Sequence, residues 1–352
     1  MRQVCISTKD VPDVFKDPKY AFWIAAARSS EYARNICNVR GSTATPDYME
    51  EQVVALVKGN PKIKEVRIIR GQQLVDLGMN LLHAVGKGAT SEPRCIAVYY
   101  KGNPDKEDVD IAFVGKGITF DTGGLHLKPT GGIEEMYTDK GGACSVLGAL
   151  HGTLELGIKM NVVFAMGLAE NSIDAKSYKP MDIIKSLKGY TVEIDNTDAE
   201  GRLILADTFT YVQREFKPAH LIDLATLTGA VKIALGIEHA GLFSNDDEFA
   251  LEVQTAGLEV FEKSWRLPIP DESRDQTVSV TADLVNSFRN TAGGSLRAAA
   301  FLEKFVEKGV KWIHLDIAGS IGYLAGNKLP LGSHANGYGA QTLLNYLYKK
   351  QA

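Results

Sequence analysis

Apolar residues follow two rhythms that alternate along the chain. Cys95–Tyr100, Ile111–Val114, Asn161–Gly167, Thr191–Ile194, His220–Leu224 and Trp312–Asp316 are short runs rich in β-branched or continuously apolar residues, as is Glu65–Ile69. Such runs predict strands. Between them lie Tyr20–Val39, Glu51–Lys58, Gln72–Ala84, Cys144–Leu156, Leu203–Arg214, Phe249–Ser264, Ser295–Val306 and Gln341–Tyr348. Their apolar positions recur every three or four residues and predict helices. Thr45, followed by Pro46 and Asp47, reads as an N-cap with proline at the first helical position. Strands that alternate with helices predict an α/β fold. Its central sheet is mixed and mostly parallel, with helices on both faces. Residues 1–19 carry breaks at Pro12 and Asp17-Pro18 and little periodicity.

Composition narrows the classes. The 352 residues allow two or three domains or one large α/β domain, and 45% apolar with 23% charged residues excludes a disordered chain. Lys and Arg number 39 against 43 Asp and Glu, a net charge of −4 that offers no basic face for nucleic acid. No apolar run reaches the roughly 20 residues of a membrane span, and Met1-Arg2-Gln3-Val4-Cys5 lacks a signal-peptide stretch. Cys5, Cys37, Cys95 and Cys144 are far apart and form no C-x-x-C pair. Free thiols in a reducing compartment, and a cytoplasmic protein, are the expectation.

In open α/β sheets, ligands bind beyond the carboxyl ends of strands. Two such ends are dense in glycine and polar groups: Gly115–Gly124 after Ile111–Val114, and Asp195–Arg202 after Thr191–Ile194. Asp198 and Glu200, two residues apart, share one face of an extended segment. Adjacent carboxylates repel unless a proton or cation lies between them. Asp121 adds a third carboxylate, and Asp139, ahead of a helix starting near Ala143, a fourth. Each also has an ordinary reading: Asp139 as a helix N-cap, Asp121 as a turn residue, and Asp198 with Glu200 as a solvated turn countered by Arg202. Spacing alone leaves a metal site and these readings both open.

The segment Asn196-Thr197-Asp198-Ala199-Glu200-Gly201-Arg202-Leu203 resembles the signature of the leucyl aminopeptidase family of two-metal exopeptidases. Gly115–Gly124 with Leu127-Lys128-Pro129, Asp139–Ala143 and Asp223–Ala230 resemble three further blocks of that family. The resemblance runs from about Arg40 to the C-terminus and covers the family's catalytic domain. It implies metal ligands at Lys116, Asp121, Asp139, Asp198 and Glu200, with Lys128 and Arg202 at the two catalytic positions that are not ligands. It implies two divalent ions (Zn²⁺ and/or Mn²⁺, or Mg²⁺) and a bicarbonate at Arg202 acting as general base. Arg202 would make that anion pocket with the backbone amides near Leu227 and Gly229. Met136, Thr226, Leu227 and Gly229 would line the substrate pocket, for a Leu-like first residue of a peptide or dipeptide. Lysine ligates only without its proton, so without metal Lys116 is expected to be a cation paired with Asp121 or Asp139.

The chain departs from the family in three places. His126 stands where the family commonly has serine, and either lines the substrate site or points outward. Lys140 follows Asp139 where methionine is frequent, adding a charge beside the cluster. The family's extra N-terminal α/β domain is largely missing from these 352 residues. The expected division is a segment with linker helix at 1–38 and a catalytic domain at 39–352. The family's homo-oligomer, trimer or hexamer, is the expected assembly. The competing class is a non-catalytic scaffolding homologue, against which the intact set of ligands argues.

Overall fold

The computed structural model describes residues 17, 19–288, 292–322 and 334–351. Cys5, Pro12 and Pro18 lie outside them. The strands are β1 (Ile63–Arg70), β2 (Arg94–Lys101), β3 (Ile111–Asp121), β4 (Asn161–Asn171), β5 (Ile183–Lys185), β6 (Thr191–Glu193), β7 (His220–Ala225), β8 (Ala240–Ser244), β9 (Ser264–Arg266), β10 (Leu284–Val285) and β11 (Lys311–Asp316). The helices are α1 (Tyr20–Cys37), α2 (Pro46–Val57), α3 (Gln72–Leu77), α4 (Asn80–Gly86), α5 (Gly141–Leu156), α6 (Gly201–Phe216), α7 (Gly229–Leu235), α8 (Asp247–Glu259), α9 (Asp271–Asp275), α10 (Gly294–Glu303) and α11 (Ala340–Lys350).

Eight strands form one sheet in the order β1-β2-β4-β3-β7-β11-β8-β9. The centre, β4-β3-β7-β11, is parallel, while β1, β2 and β8 join antiparallel. The central strands are apolar on both faces because each face has its own core. Ile111, Phe113, Phe164 and Met166 pack with α1, α2, α5, α8 and α11. Ala112, Val114, Val163 and Ala165 pack with α3, α4, α6 and α10. This is the mixed α/β architecture expected from the pattern.

Local rules held where they were strong. Thr45 caps α2 by accepting the Tyr48 N–H at 3.3 Å, with Pro46 at the first helical position. Cys37, Cys95 and Cys144 are free and buried. Four expectations need correction. Strand β3 does not stop at Val114 but runs to Asp121, so Lys116 and Asp121 are strand residues. Strand β6 belongs to a separate three-stranded sheet, β10-β6-β5, so the Asp198 loop does not leave the main sheet. Gln72–Ala84 is two helices, broken where Gly78 adopts φ 88°. Phe249–Ser264 ends as a helix at Glu259, and Ser264 opens edge strand β9.

Candidate metal centre

Glycine explains the first error and builds the site. A run of Gly-Lys-Gly reads as a turn, yet Gly115 lies within β3 under the first turn of α5. A Cβ there would come within 2.5 Å of the Ala143 Cα. Its absence lets α5 settle onto the strand and brings Asp139, just before that helix, over Lys116. Likewise, a Cβ on Gly201 would sit 2.5 Å from the Lys116 Cε. The lysine stem therefore crosses the start of α6 only because residue 201 is glycine. An irregularity in the β3–β4 register between Ile118 and Asp121 re-aims the last residue of β3.

Six charged groups from four segments meet at these strand ends. Lys116 Nζ lies 2.8 Å from Asp139 Oδ2 and 2.8 Å from Glu200 Oε1, and donates to the Thr226 carbonyl at 2.8 Å. Lys128 Nζ lies 2.8 Å from Asp121 Oδ2 and 2.5 Å from Asp198 Oδ1. Lys116 is thus the expected cation, paired with Asp139, whereas Asp121 pairs with Lys128. Asp121, Asp198 and Glu200 each offer an oxygen within 4.8 Å of the others. Glu200 is the N-cap residue of α6 with helical dihedrals. Asp198 and Glu200 therefore converge through a turn rather than along an extended face. Asp139 is not the N-cap of α5; that position is Lys140.

Four carboxylates against two ammoniums leave the cluster short of positive charge. Burial acts to lower the Lys116 ammonium, but Asp139, Glu200 and Asp121 outweigh it and hold the group above the ordinary lysine value. Burial, with crowding by Glu200 and Asp121, pushes the Asp139 carboxyl well above its usual range despite Lys116. Burial and then Glu200 raise Asp198 in the same way. Glu200 Oε2 is buried with no hydrogen-bond partner among the described residues, a costly state for a carboxylate oxygen. The donor set fits the expected divalent cations: oxygen-rich, excess negative, with an oxygen awaiting a partner.

The cluster lines a cleft of about 500 Å³ together with Met136, Arg202, Thr226, Leu227, Gly229 and Ile321. Every site residue expected from the sequence lines this one cleft. A larger hollow of about 780 Å³ beside Arg40 and Tyr137 holds none of the clustered groups. Arg202 is half-buried, donates Nη1 to the Asn286 carbonyl at 2.8 Å, and has no hydrogen-bond partner at Nε among the described residues. Burial pulls its pKa down to about 10. Two details differ from expectation. The Leu227 N–H donates to Asp316 Oδ1 at 3.1 Å, so it is not free for an anion beside Arg202. Lys140 turns away, donating Nζ to the Val39 carbonyl at 2.9 Å and to the Tyr137 carbonyl, and adds no charge to the cleft.

Sequence reading missed the supports. Asp316, at the end of β11, accepts from the Leu227, Thr228 and Ala318 N–H groups and from the Thr228 hydroxyl. Asn171, at the end of β4, donates Nδ2 to Asp121 Oδ1 at 2.8 Å and to the Thr197 carbonyl at 3.1 Å. Asn286 accepts at Oδ1 from the Asp195 N–H and donates Nδ2 to the Asn196 carbonyl. The one available signal was position: Asn171 and Asp316 end parallel strands of the sheet, as Asp121 does.

Residues 31–344 match the cytosol aminopeptidase family, catalytic domain. The chain is 41% identical over 316 residues to a probable cytosol aminopeptidase of Protochlamydia amoebophila, covering 90% of this chain and 62% of the relative. It is 43% identical over 296 residues to a probable cytosol aminopeptidase of Acinetobacter baumannii, covering 84% and 60%. Among solved structures, the bottromycin maturation enzyme BotP in complex with Mn superposes with a TM-score of 0.88 at 35% identity. That match covers 95% of this chain and 72% of BotP. The chain spans about three fifths of the length of the curated relatives it matches.

Proposed function

The chain belongs to the cytosol aminopeptidase family, and we propose that it is a metal-dependent aminopeptidase that releases apolar, Leu-like N-terminal residues from peptides or dipeptides. The observation that carries this reading is the convergence of Asp121, Asp198 and Glu200 oxygens within 4.8 Å, in one cleft with Lys116 and Asp139. Lys116, Asp121, Asp139, Asp198 and Glu200 would hold two divalent ions, of Zn²⁺, Mn²⁺ or Mg²⁺. When bound, these supply Lewis-acid polarisation of the scissile carbonyl, an anchor for the free α-amine and an activated water.

The chain's own residues do the rest. Lys116 Nζ must lose its proton to ligate, so metal uptake releases a proton and weakens as pH falls. Lys128, bridging Asp121 and Asp198 on the cleft wall, donates to the carbonyl oxygen as negative charge gathers there. Arg202, whose Nε has no hydrogen-bond partner among the described residues, would hold a bicarbonate, which would supply a general base there. Met136, Thr226 and Gly229, with Ile321, surround the first substrate side chain. We assign this role to residues 39–352 and expect a homo-oligomer, trimer or hexamer, in the cytoplasm. Among the described residues, no helix is long and apolar enough to cross a membrane.

The test is hydrolysis of leucine anilide before and after chelation, with Mn²⁺ or Zn²⁺ restored. Chelator-sensitive, metal-restored activity that ignores the N-acetylated substrate supports the reading. A metal-loaded protein with no activity sinks it in favour of a scaffolding role.

A further inference from the structure

We propose that His126 is a positioning residue that fixes the Asp198–Glu200 loop against the Asp121 strand end, acting through the backbone of Thr197. The proposal rests on the reading of the cleft as a metal centre.

Thr197 is fully buried between Asn196 and Asp198, and every polar group it carries has a partner. Its carbonyl accepts from Asn171 Nδ2 at 3.1 Å and from the Tyr178 hydroxyl at 2.6 Å. Its hydroxyl donates to the Gly123 carbonyl at 2.7 Å and accepts the His126 N–H at 2.9 Å. Its remaining group, the backbone N–H, donates to His126 Nδ1 at 3.1 Å. A buried N–H left without an acceptor is costly, so this bond holds the loop in place.

The partners fix the tautomer. A backbone N–H can only donate, so Nδ1 presents its lone pair and the ring proton is on Nε2. The Thr197 hydroxyl, 3.2 Å from the same nitrogen, has its single hydrogen engaged by Gly123. The imidazole thus serves as a neutral acceptor that joins two loops 71 residues apart in sequence. One loop follows Asp121 and the other carries Asp198 and Glu200. Asn171 makes the matching connection from the other side, through Asp121 Oδ1 and the Thr197 carbonyl. Between them the spacing of the three carboxylates is set before a cation arrives. Groups that orient ligands in this way commonly change metal affinity by about 10–100-fold.

The side chain is otherwise exposed, so it can be replaced without opening the core. In His126→Asn the amide oxygen takes the place of Nδ1 on the same Cγ and keeps the acceptor. His126→Leu keeps the bulk and removes it. The dissociation constant for Mn²⁺, from chelator competition on the metal-free protein, is measured for wild type and both variants. kcat and KM on leucine anilide at saturating Mn²⁺ follow. The Leu variant is expected to hold Mn²⁺ about tenfold more weakly, and the Asn variant to stay within about twofold of wild type. Leu equal to wild type overturns the proposal. So does Asn as impaired as Leu, because the ring would then act by its bulk. A wild-type protein that takes up no Mn²⁺ overturns the metal-centre reading itself, and that result precedes any comparison of variants.

Discussion

Two sets of carboxylates in this molecule, the first buried and the second buried or, at Asp198, half-buried, are satisfied by opposite means. Asp207 and Asp316 are enclosed by the backbone. Asp207 accepts the Leu81, Leu82 and Leu187 N–H groups at 2.8, 3.1 and 2.8 Å. Asp316 binds three N–H groups and a hydroxyl. In the cleft the ion-pair partners of Asp139, Asp198 and Glu200 are lysine ammoniums, and among the described residues Glu200 Oε2 has no hydrogen-bond partner. Backbone donors are fixed once the chain folds, so the first set closes structure permanently. An ammonium at the end of a flexible stem can be displaced by another cation, so the second set is poised to exchange. Burial alone does not separate a structural carboxylate from a functional one; the kind of donor does.

The largest expected effect tests that contrast directly. Asp198→Ala should lower leucine anilide hydrolysis by more than about 100-fold, beyond what loss of a group behind a ligand costs. Its urea midpoint should hardly move, because one crowded negative charge is removed. A large loss of stability would place Asp198 with the structural set. Lys128→Ala should reduce kcat by about 10²–10³-fold with little change in KM. A change confined to KM would make Lys128 a binding group only.

Asp316→Ala should do the reverse of Asp198→Ala. It strands several buried donors and should cost about 3 kcal/mol in urea denaturation. Unchanged stability would break the distinction from the closed side.

The smallest effect is a pH slope at Glu262, a further closed carboxylate that accepts the Thr342 N–H at 2.8 Å. Burial outweighs its hydrogen bonds and pushes the carboxyl from 4.5 up to about 7. The folded protein therefore binds the proton more tightly than the unfolded chain. Stability from this group is full below about pH 4.5 and is lost as pH rises through about 7. Measured against Glu262→Gln, wild type should lose ground across that window, by a few kcal/mol at most. A difference that stays constant with pH would show that the folded and unfolded pKa values coincide.

The motif residues were legible because their chemistry is local. Asn196–Leu203 and Gly115–Gly124 carry charged and glycine positions at short spacing, and the structure gathers both into one cleft. The strand end at Val114 was misread because glycine signals a turn when its neighbours are unknown. Only the approach of Ala143 shows why a strand needs it there. Asp316, Asn171 and Asn286 were illegible because the bonds that define them span 89, 50 and 90 residues, respectively.

By itself, then, the sequence determined the alternation of strands and helices, the two-faced apolar sheet and the identity of the candidate ligands. The first two are written in periodicity; the ligand set, Lys116 included, is what the resemblance of the short motifs to a known family implies. Tertiary structure alone decided that β6 leaves the main sheet, that Lys116 lies between Asp139 and Glu200 while Lys128 takes Asp121, and that His126 faces Thr197. A hydrophobic period specifies which face of an element is buried, not what that face meets. The partner of a side chain is fixed only when distant segments close on the same point.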